Sequence, residues 1–402
     1  MLTRRFFVKG SALVMAGAGA VPGWLGRAAA ATEGKRKTLV AIFQRGAADG
    51  LNIVAPFGDK RYADLRPTIG VKAPGSQQQP SAIDLDGFFG LHPQLDALKP
   101  LWEKQQLAIV HATGSPDPSR SHFDAQDFME SGTPGEKGNG WLNRALTAPT
   151  PESSPLRAIA MGPQLPRTLR GDRSAIAVGN MQQYKMDDDT AAILESMYQA
   201  STDKPVATAG KDAFSAMKMI DGVLRDRFTP RNPQQFGGSE LGRSLQQVAR
   251  LIKADCGVEA AFAEIGGWDH HQNEQQQLPQ LLRQFGTALS AFCEEMGDRM
   301  EDIVLVTMSE FGRTAQENGD NGTDHGHGSV MMVLGGPVRG GKVYTRWPGL
   351  EKEQLFEGRD LDVTTDFRAV LGELVSGHLG QKDIAQVFPG YQPGEPLGLL
   401  RS

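Results

Sequence analysis

Thr38-Leu39-Val40-Ala41-Ile42-Phe43 is a nearly continuous apolar run that ends in a polar turn, Arg45-Gly46-Ala47-Ala48-Asp49-Gly50. A short apolar run closed by a turn is typical of a strand that is buried on both faces, as in parallel sheets. Four later segments show the same pattern: 107–111, 258–265, 303–308 and 330–334. Because helical patterns alternate with these strands, the sequence predicts an α/β fold, a three-layer αβα arrangement around a mainly parallel sheet.

Helical periodicity is clearest over residues 278–298, where Pro279 is expected in the first turn, a position that tolerates proline. Apolar residues recur there at steps of three and four: Leu282, Phe285, Leu289, Cys293 and Met296. Turn signals such as Lys204-Pro205 separate further predicted helices: Ser121 to Ser131, 188–201, 209–227, 239–254 and 365–377. We therefore expect one large domain, residues 32–402, with a helical insertion at about 188–254.

The N-terminus carries paired arginines, Arg4 and Arg5, in a basic segment typical of a twin-arginine export signal. The apolar stretch from Ser11 to Leu25 is too short to span a membrane stably, and Ala28 to Ala31 offers a small-residue cleavage site. We expect residues 1–31 to be removed after the twin-arginine translocase has carried the folded chain. The protein is then periplasmic or extracellular and has no stable membrane span. An uncleaved membrane anchor is the alternative.

Composition excludes several classes of protein. The 402 residues include 42 basic and 47 acidic side chains, a net charge of −5. Four of the basic side chains and none of the acidic ones lie in residues 1–31, which leaves a net charge of −9 on the remainder. A chain this acidic is a poor candidate for binding nucleic acid. Two cysteines are too few for a disulfide scaffold or a cysteine-based zinc site.

The two cysteines are expected to lie in the same region of the fold. Cys256 precedes the strand at 258–265, and Cys293 lies near the C-terminal end of the helix that follows. A helix in a strand–helix unit runs back along its strand, so its C-terminal end lies beside the start of the strand. The sequence is consistent with a disulfide formed after export and equally with two buried thiols.

Histidine and acidic residues concentrate in short segments that follow predicted strands. Two segments combine them, Asp269-His270-His271 and Asp324-His325-Gly326-His327. A third, Ser119-Arg120-Ser121-His122-Phe123-Asp124, follows the strand at 107–111, while Asp49 and Glu310 each follow another strand. If the strands are parallel, all of these segments meet at the carboxyl edge of the sheet, where ligands bind in such folds.

Carboxylate and imidazole ligands together suit zinc, manganese or iron, and several such turns can hold two divalent ions. Two ions suit displacement at phosphorus or sulfur, and the fork of Arg313 suits an anionic substrate. Simpler interpretations stay open at this point. The Asp-His pairs and Arg313 are also consistent with plain surface positions, and Asp49-Gly50 with a turn pair. Ser121 and Asp124 match a capping box, which is compatible with a reactive serine at a helix N-terminus.

Five segments taken together resemble a twin-arginine-exported bacterial family, the domain of unknown function DUF1501, which belongs to the alkaline phosphatase and sulfatase superfamily. The resemblance covers nearly all of the chain after residue 31. The matching segments are Arg45 to Asn52, Arg120 to Gln126, Gly266 to His271, Ser309 to Arg313 and Gly322 to Gly326.

The resemblance implies an alkaline phosphatase-like fold and a site with two divalent metal ions, most often zinc or manganese. It implies that Ser121 is the nucleophile and that Asp49 is the first acidic ligand. The remaining metal ligands that it implies are Asp269, His271, Glu310, Asp324, His325 and His327.

These observations lead to three hypotheses about function. The first is a periplasmic metal-dependent hydrolase that acts on small anionic esters of phosphate or sulfate. The second is a non-catalytic metal- or ligand-binding envelope protein on the same fold. The third is a structural role in which one metal ion holds the loops together.

Overall fold

The computed structural model describes residues 36–401 apart from 78–80, 134–137, 151–152, 182–192, 194, 199, 201, 203 and 226–227. The predicted signal peptide lies outside the described residues, and so does most of the predicted helix at 188–201. In the described part, no helix is long and apolar enough to cross a membrane.

A nine-stranded sheet forms the centre of the described chain, in the order β11-β5-β10-β9-β1-β8-β6-β7 with β12 beside β5. Its strands are β1 (Thr38–Gln44), β5 (Leu107–Gly114), β6 (Ala158–Ala160), β7 (Ile176–Ala177), β8 (Ala260–Ile265), β9 (Ile303–Met308), β10 (Ser329–Gly335), β11 (Lys342–Tyr344) and β12 (Thr365–Asp366). A small antiparallel sheet pairs β2 (Val54–Ala55), β4 (Gly90–Leu91) and β3 (Ile83–Asp84).

The strand directions confirm a mainly parallel sheet. β1 pairs in parallel with both β8 and β9, and the same direction continues through β6 and β7. β10 is antiparallel to both of its neighbours, β5 and β9. The start of β10 therefore lies at the edge where the parallel strands end, and the polar loop that precedes β10 is brought to that edge.

Helices lie on both faces of the sheet. They are α1 (Gly50–Ile53), α2 (Lys60–Leu65), α3 (Lys99–Glu103), α4 (His122–Ser131), α5 (Trp141–Ala145), α6 (Lys204–Arg225), α7 (Glu240–Lys253), α8 (Glu274–Met296), α9 (Phe367–Leu374) and α10 (Ile384–Val387). Short 3-10 segments occur at Pro93–Leu98, Arg167–Leu169, Pro233–Phe236, Gly297–Asp302 and Lys352–Gln354, and a π-helical turn at Val375–Leu379 follows α9.

The residues of β1 alternate between two hydrophobic cores. Val40 and Ile42 face a core that is completed by apolar residues of α7 and α8. Leu39, Ala41 and Phe43 face the opposite core, together with residues of α4, α5, α9 and α10. A strand buried on both faces needs apolar residues at odd and even positions alike, which explains the continuous apolar run. The predicted three-layer αβα arrangement is confirmed.

Two details of the predicted helices are wrong. Lys204-Pro205 was expected to be a turn, but α6 begins at Lys204, so that Pro205 lies in its first turn, where the missing N–H costs nothing. Pro279 was expected in the first turn of its helix, but α8 begins earlier, at Glu274, and contains Pro279 in its interior. α7 packs Leu241 and Leu245 into the same core as β1, so this part of the predicted insertion belongs to a helical layer.

Both cysteines are buried free thiols in the structure, so the disulfide considered from the sequence is not formed. Burial raises the pKa of each thiol, Cys256 and Cys293, to about 12. Both side chains belong to the core that contains α7 and α8, where they act as small apolar residues.

Candidate metal centre

Loops from several strands meet at the carboxyl edge of the sheet. The loop after β1 approaches the loop after β8 so closely that a Cβ on Gly46 would lie 2.8 Å from the backbone nitrogen of Asp269. Gly46 also has φ of +118°, which residues with a side chain rarely adopt. The backbone N–H of Gly46 donates to Oε1 of Glu310, the residue two positions after β9, at 2.9 Å. These contacts fix the loops relative to one another.

Three histidines and one aspartate converge at this edge, and we call His122, Asp269, His271 and His325 the histidine–aspartate centre. The Nε2 atom of His325 lies 3.1 Å from Nε2 of His122 and 3.1 Å from Nε2 of His271. Oδ1 of Asp269 lies 3.2 Å from Nε2 of His325 and 3.0 Å from Nε2 of His271. Its second oxygen, Oδ2, lies 3.5 Å from Nε2 of His122.

The other ring nitrogen of each histidine contacts an oxygen acceptor. Nδ1 of His122 lies 2.8 Å from Oε1 of Glu310, and Nδ1 of His271 lies 3.1 Å from Oδ1 of Asp324. Nδ1 of His325 lies 3.0 Å from the backbone carbonyl oxygen of Arg120. Carboxylate and carbonyl oxygens only accept hydrogen bonds, so each Nδ1 carries the hydrogen. In a neutral imidazole the Nε2 atom then has a lone pair, and the Nε2 atoms of His122 and His271 each lie 3.1 Å from Nε2 of His325.

Three members of the centre fit a metal ion. The ligand atoms of His122, Asp269 and His325 lie 3.1–3.5 Å apart, close to the roughly 3.3 Å between ligands about 2.0–2.1 Å from a tetrahedral zinc ion. Ligand atoms of His122, Asp269 and His325 all lie within 4.8 Å of one another. Hydrogen bonds from ligating histidines to carboxylates or carbonyls are the usual outer shell of such a site. Lone pairs this close repel one another unless a cation or a shared proton lies between them.

Electrostatics at the centre favour charged carboxylates. The hydrogen bond to Glu310 raises the pKa of His122, against the opposing effect of burial. Burial alone would raise the pKa of Glu310, but hydrogen bonds from His122, Gln126 and Gly46 outweigh it and hold the pKa below its ordinary value. Burial also acts to raise the pKa of Asp269, but the hydrogen bond and charge of Arg313 lower it overall.

Arg313 lies behind the centre. Its guanidinium is 1% exposed, and Nη1 donates to Oδ1 of Asp269 at 2.5 Å. Nε and Nη2 donate to Oγ1 and the carbonyl oxygen of Thr323. Each guanidinium nitrogen of Arg313 therefore makes one hydrogen bond, and Nη1 orients Asp269. The contact with substrate expected from the sequence stays a prediction.

Asp49 is placed apart from the three histidines. It is 1% exposed and accepts a hydrogen bond of 2.5 Å from Nη1 of Arg66, which is itself fully buried. Burial acts to raise the pKa of Asp49, but the charge of Arg66 outweighs it and lowers the pKa. Burial and the nearby charge of Asp49 raise the pKa of Glu274 well above its usual range. Asp49 also caps α1 by accepting from the N–H of Leu51, which matches the turn interpretation.

Ser121 lies at the start of α4, directly before His122. The predicted capping box is wrong: Ser121 is the N-cap residue, but its side chain makes no capping hydrogen bond. Ser121 is exposed. His327 lies away from the three histidines. It is buried and stacks on Phe356 with ring centroids 4.3 Å apart.

Sequence reasoning missed His122. His122 lies in the segment Ser119 to Asp124, from which the sequence predicts a role only for Ser121, as the nucleophile. A signal was present, since a histidine in the first turn of a helix after a buried strand points to the carboxyl edge of the sheet. Glu310 and Asp324, predicted as metal ligands, contact Nδ1 of His122 and of His271, and their role as ligands stays a prediction.

The fold and this centre define a class: an α/β protein with a histidine–aspartate centre at the carboxyl edge of a mainly parallel sheet. The sequence pattern of one family matches residues 36–382, most of the chain. The chain belongs to that family, which is described as protein of unknown function (DUF1501). No curated protein matches the chain.

Three solved structures are similar to the chain at 11% sequence identity. One is a protein in the alkaline phosphatase superfamily from Vibrio parahaemolyticus, with TM-score 0.32 over 76% of this chain; the chain spans 61% of that protein's length. The second is the PH0037 protein from Pyrococcus horikoshii, with TM-score 0.31 over 75% of this chain and 85% of that one. The third is Ps i-CgsB in complex with k-i-k-neocarrahexaose, with TM-score 0.35 over 88% of this chain and 74% of that one. Similarity at this level does not allow a site or an activity to be inferred for this chain.

Proposed function

We propose that the protein is a metal-dependent hydrolase of phosphate or sulfate esters that uses one divalent ion at the histidine–aspartate centre. The observation that carries the proposal is the convergence of three Nε2 atoms and one carboxylate, each 3.0–3.5 Å from a neighbour in the set. His122, Asp269 and His325 would hold the ion, with His271 beside them. Two imidazoles with one carboxylate suit zinc and leave its fourth position open. When bound, the ion would supply a Lewis acid that neutralises charge on an ester oxygen.

One ion is proposed here in place of the two expected from the resemblance. Asp49, the ligand that would begin a second site, already has a cationic partner in Arg66. Both side chains are almost completely buried, and a buried ion pair satisfies the charge that a second metal would otherwise compensate. Glu310 and Asp324 act through the histidines that they contact, and they orient the rings.

Ser121 is proposed as the nucleophile. Its Oγ makes no capping bond and lies at the N-terminus of α4, where the helix dipole stabilises negative charge on oxygen. In the first step Oγ forms a bond to phosphorus or sulfur while the bond to the ester oxygen breaks. The hydroxyl proton passes to solvent, since Ser121 is exposed, and the leaving oxygen takes a proton from solvent. Water then cleaves the covalent intermediate and restores Ser121.

Exposure of the centre distinguishes this proposal from a structural metal site. The side chains of Asp269 and His271 are each 43% exposed, and those of His122 and His325 are 25% and 26% exposed. Structural zinc sites are closed, whereas catalytic sites keep access to substrate. A non-catalytic binding protein with the same centre is the second candidate, because an open site also admits a ligand that is not converted.

The paired arginines Arg4 and Arg5 support export by the twin-arginine translocase and work in the periplasm or outside the cell. A twin-lysine variant, R4K/R5K, tests this directly. We expect the variant to accumulate in the cytoplasm at full length, while the unaltered protein is recovered from the periplasm without residues 1–31. Equal distribution of both proteins would contradict the export proposal.

The ester hydrolase proposal is tested with protein recovered from its native compartment. Its metal content is measured by mass spectrometry, and its turnover is measured on p-nitrophenyl phosphate, bis(p-nitrophenyl) phosphate and p-nitrophenyl sulfate. We expect turnover of at least one ester, loss of that turnover after chelation, and recovery when zinc is restored. Metal-loaded protein that hydrolyses none of the esters would favour the binding protein instead.

A further inference from the structure

We infer that the ester bound at the histidine–aspartate centre carries one negative charge on its reacting group, as a phosphate diester or a sulfate monoester does, and not two. This inference rests on the proposed function and narrows its substrate class. It follows from the fixed charges that surround the centre and from the engagement of the arginines that contact it.

The groups around the centre carry a net negative charge. Asp269 belongs to the centre itself, while Glu310 and Asp324 contact two of its histidines at 2.8 Å and 3.1 Å. Arg313 contributes one positive charge through its ion pair with Asp269. Three carboxylates and one guanidinium leave two negative charges, which one divalent ion balances. The loaded centre is therefore close to neutral.

Three arginines bond to residues of the centre, and in each of them Nε and Nη2 already donate hydrogen bonds. Arg313 donates to Thr323 from these two nitrogens and to Asp269 from Nη1. Arg120, whose carbonyl accepts from His325, donates to Asp360 at 2.6 Å and 3.0 Å and to Glu357 at 2.6 Å. Arg359 donates to the carbonyl oxygen of His325 and to Asp360 at 2.8 Å.

Binding of a phosphate dianion normally uses the planar fork of an arginine, which pairs with two oxygens at once. In Arg313, Arg120 and Arg359, each fork of two nitrogens includes Nη2, which already donates a hydrogen bond. A dianion would place two negative charges beside Asp269 and Asp324 with compensation from the ion alone. A monoanion places half of that charge beside these carboxylates, so we expect the centre to bind a monoanion more tightly than a dianion.

Calorimetry on the zinc-loaded full chain at pH 8 tests the inference without relying on turnover. Dimethyl phosphate is a monoanion at this pH, and methyl phosphate is a dianion because the second pKa of a phosphate monoester is about 6. We expect dimethyl phosphate to bind at least about tenfold more tightly, the equivalent of roughly 1.4 kcal/mol. Equal or tighter binding of methyl phosphate, or no binding of either ligand, would overturn the inference.

A charge variant provides the matched test. Asp324→Asn removes one negative charge beside the centre, and Asp320→Asn removes one from an exposed position in the same loop. With metal content verified in both, Asp324→Asn is expected to reduce the preference for dimethyl phosphate at least threefold, and Asp320→Asn to leave it unchanged. Equal effects of the two variants would mean that charge at the centre does not set the preference.

The calorimetric comparison of the two ligands and the hydrolysis assay can contradict the charge inference and the hydrolase proposal separately. If the monoanion binds more tightly but no ester is turned over, the hydrolase proposal fails and the charge inference stands for a binding protein. If p-nitrophenyl phosphate is hydrolysed faster than the diester and the sulfate, the hydrolase proposal stands and the charge inference fails.

Discussion

Nδ1 of His122 lies 2.8 Å from Oε1 of Glu310, a carboxylate that is completely buried. This contact joins the first turn of α4 to the end of β9, two elements that are 188 residues apart in the chain. Gln126, one turn along α4, donates to the same oxygen at 2.9 Å. Glu310 thereby sets both the position of the helix and the direction of the histidine ring, which turns Nε2 toward Asp269 and His325.

Replacement of Ser121 by alanine separates a nucleophile from a helix cap. Because the Ser121 side chain makes no capping bond, Ser121→Ala should change the free energy of unfolding by less than about 0.5 kcal/mol while abolishing ester hydrolysis. Ser239 is the matched control, since its Oγ accepts from the N–H of Gly242 at 3.0 Å and caps α7. Ser239→Ala should cost about 1 kcal/mol and keep turnover. Full turnover in Ser121→Ala would remove Ser121 from the mechanism.

The Asp49–Arg66 pair is expected to support stability and not metal binding. Asp49→Asn leaves the Arg66 guanidinium buried without its counter-charge, which should cost about 3–5 kcal/mol. Metal content should stay at the unaltered level. The double variant D49N/R66M should recover part of the lost stability, because it removes both charges. Loss of metal from Asp49→Asn without loss of stability would restore Asp49 as a ligand.

Arg313 is a positioning residue, and its test must show more than a fall in activity. Arg313→Lys keeps the charge but cannot bond to Asp269 and Thr323 at the same time. We expect zinc affinity to fall about 10–100-fold, measured by competition with a chelator. Arg299→Lys, in the exposed pair with Asp255, is the control and should leave affinity unchanged. Unchanged affinity in Arg313→Lys would exclude the positioning role.

Three buried histidines predict how stability depends on pH. Burial lowers the pKa of His92, His111 and His378 to about 4 each, from an ordinary value of 6.5. Below pH 6.5 the unfolded chain binds these protons and the folded chain does not, so stability falls as pH falls. Each histidine changes the free energy of unfolding by about 1.4 kcal/mol per pH unit, and the three together change it by about 4 kcal/mol per pH unit.

Urea unfolding between pH 6.5 and 4.5, with chelator present, measures this slope. His378 contacts the carbonyl oxygen of Thr38 at 3.0 Å, a bond that glutamine can also donate. His378→Gln should therefore fold and should flatten the slope by about 1.4 kcal/mol per pH unit. An identical slope in the variant and the parent would show that His378 does not remain neutral in the folded chain.

The sequence was most informative where packing alone decides structure. β1, β8 and β9 are buried on both faces, so their apolar runs identify them without any tertiary information. The direction of β10 could not be predicted from its sequence, because a buried strand has the same apolar pattern whether it is parallel or antiparallel to its neighbours. Only its pairing with β5 and β9 shows that it runs antiparallel.

The site was harder to predict because it depends on distances between loops. Asp324-His325-Gly326-His327 offers two histidines, and the sequence does not say which one faces Asp269. In the fold, a Cβ on Gly326 would lie 2.3 Å from the carbonyl carbon of Arg313, a close approach that only glycine permits. His325 consequently joins the centre while His327 stacks on Phe356. The sequence did not indicate that Arg66 pairs with Asp49, because Arg66 follows a short helix and lies outside the polar motifs.

We propose above that His122, Asp269 and His325 bind one divalent ion. The most direct test of this proposal is metal content per chain by mass spectrometry, on protein recovered from its native compartment. The account predicts one ion in the unaltered protein and in His327→Ala, and less than about a tenth of that in His122→Ala and His325→Ala. Full metal content in His122→Ala, or no metal in the unaltered protein, would contradict it.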